Sequence, residues 1–234
     1  MRLALSIKRL FQFSLALLLV CMTLGLGGNA YATKYSDILL DIVQNCTEPP
    51  SANYCQKCRA PVASALCGNE NSCQKTTEIW SSNEAFVAIR DIKMCSCPAD
   101  FVHGLVLPKQ TITGVEDPLR PDAIWPYAWD VASTRIEPES IALVINPQNF
   151  RSQNQMHIHL VKLKPQARQA LQKLRIYQVE NLLQVWNAAK QSAQEQKLED
   201  YGVLVTRNAS GTFNVVLTIE SPGKTYTEYV CDRP

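Results

Sequence analysis

The chain has 234 residues, of which 46% are hydrophobic and 19% charged, an ordinary globular composition that supports one domain with a substantial core. Its formal net charge is +2, but Arg2, Lys8 and Arg9 carry three of the positive charges within the first 32 residues, where no acid occurs, so the remainder is near neutral at −1. A near-neutral chain with no basic run lacks the electrostatic footprint of a nucleic-acid binder, and that class of partner is set aside.

The three cations precede an apolar run over 11–26, and Ala30-Tyr31-Ala32 offers small residues at the positions a signal peptidase reads. Residues 1–32 are therefore predicted to be a secretory signal. The alternative is an uncleaved membrane anchor, since an apolar run of about 16 residues is near the lower limit for crossing a bilayer. Val20 is too bulky a neighbour to make Cys21 a lipidation site. Residues 33–234 are expected to form one domain. Eight cysteines remain outside the signal, Cys46, Cys55, Cys58, Cys67, Cys73, Cys95, Cys97 and Cys231, and an even number in an exported chain reads as disulfides. Most fall in a Cys-rich segment over 46–97. Zinc is the competing reading of the cluster, but its spacing fits no common finger. The Cys55-x-x-Cys58 pair lacks the strand-helix unit of a thioredoxin-like site. Cys95 and Cys97, in extended chain, point to opposite faces, so each is expected to pair elsewhere.

Along the chain, Ile38, Leu39, Ile42, Val43 and Cys46 make one helical stripe over 36–46, and 47–77 reads as a disulfide-stapled excursion. Strands follow at 85–90 and 101–107. Ile124, Trp125, Ala128, Trp129 and Ala132 recur at helical spacing, with both tryptophans expected in the core. A strand at 141–145, a polar loop at 146–154 and a strand running to residue 163 come next. Pro165 opens a helix carrying Ala167, Ala170, Leu171 and Leu174, and a second helix is predicted over 179–196. Strands at 202–206 and 212–219, with a turn at 208–211, close the chain. Strands and helices without regular alternation predict an α+β fold with a mainly antiparallel sheet and flanking helices.

The chemistry concentrates in Gln153-Asn154-Gln155-Met156-His157-Ile158-His159-Leu160, which holds two of three histidines. In a strand, Gln155, His157 and His159 share a face, with the two imidazole Cα atoms about 7 Å apart. Sheet histidines without a task are one reading. A metal site is a second, since H-x-H supplies two ligands, but it needs a third, for which His103 or a carboxylate could serve. In the third reading an imidazole attacks phosphorus and water cleaves the resulting phosphoramidate, with no metal or cofactor. Asn146, Gln148, Asn149, Arg151, Ser152, Gln153 and Asn154 crowd the start of the strand with donors suited to phosphate oxygens, which favours this reading.

The stretch 141–171, I-A-L-V-I-N-P-Q-N-F-R-S-Q-N-Q-M-H-I-H-L-V-K-L-K-P-Q-A-R-Q-A-L, resembles the core of the bacterial CDP-diacylglycerol pyrophosphatases, of the histidine-triad superfamily. Further similarity lies in Gly104-Leu105-Val106-Leu107-Pro108 through Asp117-Pro118-Leu119, the Trp125/Trp129 helix and Tyr201-Gly202. The resemblance implies a histidine-triad-like fold and hydrolysis of CDP-diacylglycerol to CMP and phosphatidate at a membrane surface, in the periplasm or on the periplasmic face of the inner membrane. By position, His157 is the nucleophile and His159 the third triad member, which binds phosphate and assists proton movement. Asn146 and the Arg151, Ser152, Gln153 loop are implied to hold phosphate oxygens or the leaving group. The first triad histidine is replaced by Gln155, which hydrogen bonds but carries no proton charge. Thr111 stands where many histidine-triad proteins have a fourth histidine, and Lys109 is a candidate cation near the nucleotide. The segment at 177–200 is shorter than in the family. The rival expectations are a histidine-triad hydrolase of other nucleotide pyrophosphates or phosphoramidates, and a disulfide-rich periplasmic metal-binding module using the H-x-H strand.

Overall fold

The computed structural model describes residues 35–45, 47, 78–94 and 97–231. The predicted signal, the excursion at 48–77 and six of the cysteines assigned to the Cys-rich segment or its flank (Cys46, Cys55, Cys58, Cys67, Cys73, Cys95) lie outside the described residues. No helix among the described residues is long and apolar enough to cross a membrane.

The fold is α+β. Eight strands, β1 (Ile79–Ser82), β2 (Phe86–Arg90), β3 (His103–Pro108), β4 (Ile141–Ile145), β5 (Ile158–Lys162), β6 (Ile176–Val179), β7 (Gly202–Arg207) and β8 (Phe213–Thr218), form one sheet. Their order is β1-β2-β3-β5-β4-β7-β8-β6, and every neighbouring pair is antiparallel. Strands β2, β3 and β4 are buried along their whole length. Such strands read as unbroken apolar runs because both faces of the sheet are covered.

On one face, α2 (Ile124–Ser133) and α4 (Val185–Gln196) pack over the main core. Trp125 and Trp186 meet edge to face there, with ring centroids 5.0 Å apart. Trp129 is partly buried and packs edge-on against Phe213. The opposite face carries two separate clusters. Helix α1 (Ile38–Asn45) sets Leu39, Ile42 and Val43 on Val87, Ile89, Leu105 and Leu107. Helix α3 (Ala167–Leu171) sets Ala167 and Leu171 on Ala142, Val144, Val161, Leu204 and Val216. Between the two clusters the sheet is left without an apolar cover, and this gap receives the histidines.

Two strands were not expected from sequence. β1 escapes because its four residues, Ile-Trp-Ser-Ser, are only partly buried at the sheet edge. β6 lies where the second helix was predicted to begin. Asn181 ends that possibility: its side chain accepts from Leu183 N and the Gln184 side chain accepts from its backbone, a reciprocal cap that starts the helical turn there and delays α4 to Val185. The histidine strand is also shorter than expected, with ladder pairing beginning at Ile158. Residues 152–154 pair instead with Ser36, whose N donates to Ser152 O and whose O accepts from Asn154 N. That pairing places α1 beside the histidines.

The turn at Asn208 to Gly211 forms as expected, with Gly211 at φ 89°. A Cβ on Gly202 would lie 2.8 Å from Ile145 O and from the Pro147 and Pro222 rings. Its bare backbone lets β7 approach the end of β4 and the start of α5 (Pro222–Tyr226), which brings Asn146 and Ser221 together. The C-terminal segment then runs beside β5, with Lys164 N donating to Tyr226 O and Glu228 N to Lys162 O. It is fastened by a Cys97–Cys231 disulfide that closes a span of 134 residues. Cys97 thus pairs away from Cys95.

Candidate active site

Period-two alternation fixes which side chains enter the gap. In β5, Ile158 and Leu160 face the main core while His159 and Val161 face the other way; in the neighbouring β3, His103 and Leu105 share that second face. Leu105 is the register partner of His159, so His103 sits one step diagonal to it. The diagonal is within reach of an imidazole, and His103 Nε2 lies 2.9 Å from His159 Nδ1. His157 precedes the strand, with its ring centroid 4.7 Å from that of His159 at a steep 79° angle.

The hydrogen-bond partners assign each imidazole a tautomer. His157 Nδ1 lies 2.9 Å from Gln155 O, which only accepts, so Nδ1 holds the proton and Nε2 keeps its lone pair. His103 Nδ1 is in the same position against Tyr229 O at 3.1 Å, which leaves its Nε2 as an acceptor. His159 Nδ1–H then donates to it, and His159 Nε2 is the lone-pair nitrogen, facing Asn146 Nδ2 at 3.3 Å and Tyr229 Oη at 3.2 Å. Ser221 Oγ donates to Asn146 Oδ1 at 2.6 Å, which turns the Asn146 amide so that its NH₂ points at His159. The result is two unprotonated nitrogens, His157 Nε2 and His159 Nε2, side by side.

They open on a cavity of about 280 Å³. One wall is apolar, from Ile38, Leu39 and Ile42 of α1 with Ile89, Leu105 and Phe150; the other is polar, with Arg90, Lys93, Asn146, Ser152, Gln153 and Tyr229. Lys93 Nζ lies 3.7 Å over the Tyr229 ring, which places a cation beside the imidazoles. A small second recess joins His157 to Arg151, Asn146, Thr113 and Gly114. Arg151 donates to Thr113 O at 3.0 Å and pairs with Glu116, while its buried Nε has no hydrogen-bond partner among the described residues.

The sequence-derived candidates separate into two groups. His157, His159, Asn146, Ser152 and Gln153 line the main cavity, and Arg151 borders the adjoining recess. Gln155 is 1% exposed and its amide is fully engaged with the chain after β3: Nε2 donates to Pro108 O and Gln110 O, both at 2.8 Å, and Oε1 accepts from Ile112 N. It anchors that loop beneath His157. Lys109 is absent from both cavity linings. Arg90, Asp91, Lys93, Ser221 and Tyr229 were not singled out from sequence. Only strand pairing and the return of the C-terminus bring them to the histidines, and neither leaves a local motif. His103 had been weighed solely as a metal ligand.

Asp91, His103 and His159 present ligand atoms within 4.8 Å of one another, a cluster able to hold a metal ion in principle. The 2.9 Å between the two ring nitrogens fits an N–H···N hydrogen bond, whereas tetrahedral zinc with bonds of about 2.0–2.1 Å holds its ligands roughly 3.3 Å apart.

All three imidazoles are held neutral at pH 7. Burial dominates each: it lowers His103 to about 3, with Lys93 and His157 adding to the effect and the Tyr229 carbonyl opposing it. His157 is lowered chiefly by burial, and His159 well below its ordinary value by burial and then by its two histidine neighbours. An unfolded chain takes up protons on these imidazoles from about pH 6.5 downward while the folded one does not, so stability is complete above that pH and is lost toward pH 3. Urea unfolding at pH 7.5 and 4.5 should show a loss on the order of a few kcal/mol. If His157 Nε2 is an attacking nitrogen, the acid limb of kcat/KM should likewise fall below pH 6.5, because that nitrogen stays unprotonated there. A limb at or above 6.5 would remove His157 as the attacking group.

Comparison with known proteins gives a consistent assignment. A family model described as CDP-diacylglycerol pyrophosphatase matches residues 68–198. The proteins named CDP-diacylglycerol pyrophosphatase from Mycobacterium bovis (strain BCG / Pasteur 1173P2) and Mycobacterium tuberculosis (strain ATCC 25177 / H37Ra) are each 40% identical over 78 residues. That match covers 29% of this chain and 30% of each relative, so the chain aligns with less than a third of the length of the curated relatives.

Proposed function

The chain belongs to the CDP-diacylglycerol pyrophosphatase family, and from that footing we propose that it hydrolyses CDP-diacylglycerol to CMP and phosphatidate through a nucleotide carried on His157. The supporting observation is the pair of lone-pair nitrogens facing a cavity with one polar and one apolar wall. In the first step His157 Nε2 bonds to the phosphorus bearing cytidine, and the P–O bond to phosphatidate breaks with its electron pair leaving on oxygen. In the second, water bonds to that phosphorus and the P–N bond breaks, its electrons returning to His157. Lys93, Arg151 and the Asn146 amide are positioned to take charge on the phosphoryl oxygens. Leu39, Ile42 and Phe150 offer the apolar wall that the glycerol ester end requires.

The same reading takes the fold as histidine-triad-like, with the Gln155 position serving structure. It also takes residues 1–32 as an export signal and the working place as a membrane surface outside the cytoplasm. The Cys97–Cys231 disulfide supports the compartment, since such bridges persist where thiols are oxidised.

The test compares CDP-diacylglycerol, CDP-choline and diadenosine polyphosphates at matched concentration. CDP-diacylglycerol should have the highest kcat/KM, because the apolar wall contributes only when a lipid tail occupies it. Faster cleavage of the soluble dinucleotides would sink the substrate assignment. The second reading, a metal-binding module, draws on the Asp91, His103, His159 cluster; activity that survives chelation with EDTA would count against it.

A further inference from the structure

The main cavity is too small to enclose a two-chain lipid. At about 280 Å³ it lies below the range of about 300–1,000 Å³ that holds a drug-sized ligand. Such a space takes the diphosphate and glycerol end of a liponucleotide, while both acyl chains stay outside. Drawing those chains into water forfeits the transfer free energy of every methylene, so what the cavity mouth presents to them matters.

Two apolar side chains stand at the mouth. Ile38, which opens α1, is 37% exposed and Phe150 is 46% exposed, and both line the cavity. Each is held in place. Phe150 ends a 3₁₀ turn, Gln148–Phe150, in which Gln148 N and Asn149 N donate to the Asp200 carboxylate at 2.6 and 3.0 Å and Phe150 N donates to Pro147 O. The Tyr35 hydroxyl donates to Gln148 O at 3.1 Å, and the pairing of Ser36 with residues 152–154 fixes the start of α1 beside that turn. An aromatic ring ordered in water is stabilised only when an apolar phase covers it. Resting on the CDP-diacylglycerol reading above, we propose that Ile38 and Phe150 form a membrane-docking rim. The mouth seats on a bilayer leaflet with these side chains at the boundary of headgroups and acyl chains, so the substrate phosphorus reaches His157 while its chains remain in lipid.

The rim is continuous with Leu39, Ile42 and Leu105, so one apolar surface leads from the mouth inward, as a lipid entering from a leaflet requires. Only eight residues, 27–34, separate Tyr35 from the apolar run at 11–26, and fully extended they reach about 30 Å; where that run is retained, it keeps a bilayer within this distance of Tyr35. Asp37 and Asp41 are exposed on or beside α1 and repel anionic headgroups, so the contact is apolar rather than electrostatic. Two side chains give weak, reversible seating.

The test uses the full chain with phosphatidylcholine vesicles whose acyl chains carry a diazirine, irradiated and mapped for lipid adducts by mass spectrometry. Adducts are expected on Ile38 and Phe150, well above those on Leu183 and Ile219, which are exposed but do not line the cavity. Leu183 belongs to a turn packed against α2 and α4, on the opposite face of the sheet. Added salt should leave the adducts in place. Joint Ile38→Ser and Phe150→Ser substitution should raise the apparent KM for CDP-diacylglycerol in vesicles about 10-fold or more. An unlabelled rim, equal labelling of Leu183 and Ile219, adducts that need anionic lipid and vanish in salt, or an unchanged KM would overturn the proposal. So would a dimer in solution whose formation shields the rim from label. The labelling is done on the wild-type chain without substrate, so it stands whether or not the double variant folds. Rim adducts on a protein that leaves CDP-diacylglycerol intact would refute the substrate reading and not the docking face.

Discussion

His157→Ala should lower turnover of CDP-diacylglycerol by about 10⁴-fold or more while the protein melts close to its wild-type temperature. The chemical effect is large because no second nitrogen among the described residues is placed to substitute. His159 Nε2 is occupied by Asn146 and Tyr229, and His103 lies behind His159 with its Nε2 engaged. The structural effect is small because His157 is only half-buried and, among the described residues, makes one hydrogen bond, to Gln155 O. Loss of such a bond costs about 1 kcal/mol. Circular dichroism melts with steady-state assays on purified protein decide the matter, and wild-type turnover in the variant would eliminate His157 as nucleophile.

Reduction of the Cys97–Cys231 bridge should both destabilise the fold, by about 3–5 kcal/mol for a closed loop of this length, and remove activity before global unfolding. The second effect follows from what the bridge joins. Cys97 lies four residues after Lys93, to whose carbonyl its Sγ is 3.0 Å distant, and Cys231 lies two residues after Tyr229. Lys93 and Tyr229 stack on one another, and Tyr229 fixes both His103, through its carbonyl, and His159, through its hydroxyl. Release of the bridge frees the two segments that make the rear wall of the site. Cys231→Ser assayed with denaturant titration should show activity falling at a lower urea concentration than the helical signal. Coincident loss of the two signals would assign the bridge to global stability alone.

Period-two reading of Gln155, His157 and His159 brought the two imidazoles to one cavity, and apolar runs marked β2, β3, β4, β7 and β8, because these depend on local pattern. The helical stripes over Ile38 to Val43 and over Ile124 to Ala132 were legible for the same reason. Gln155 behaved otherwise: pairing of 152–154 with Ser36 takes it out of the ladder, and its amide serves the backbone after β3. That exchange depends on a contact more than a hundred residues away, to which a local window is blind. β6 was lost because its alternation is four residues long and is followed at once by helical sequence. Asp91, Ser221 and Tyr229 reach the histidines only through tertiary pairing, so a polar residue in each place reads as a surface residue from sequence.

The antiparallel pairing of the C-terminal segment with the end of β5 also orders events in time. Synthesis delivers His103, then Asn146, then the His157 and His159 pair, all in or beside β3, β4 and β5, before Ser221 and Tyr229 exist. Those last two residues set the Asn146 amide and hold the His103 proton. A growing chain therefore carries His103 and His159 for some seventy residues of elongation after His159 with their tautomers unfixed. Contacts of such long sequence separation are slow to close. Maturation of the site is then a final docking event, paced by the arrival of the C-terminus rather than by formation of the sheet.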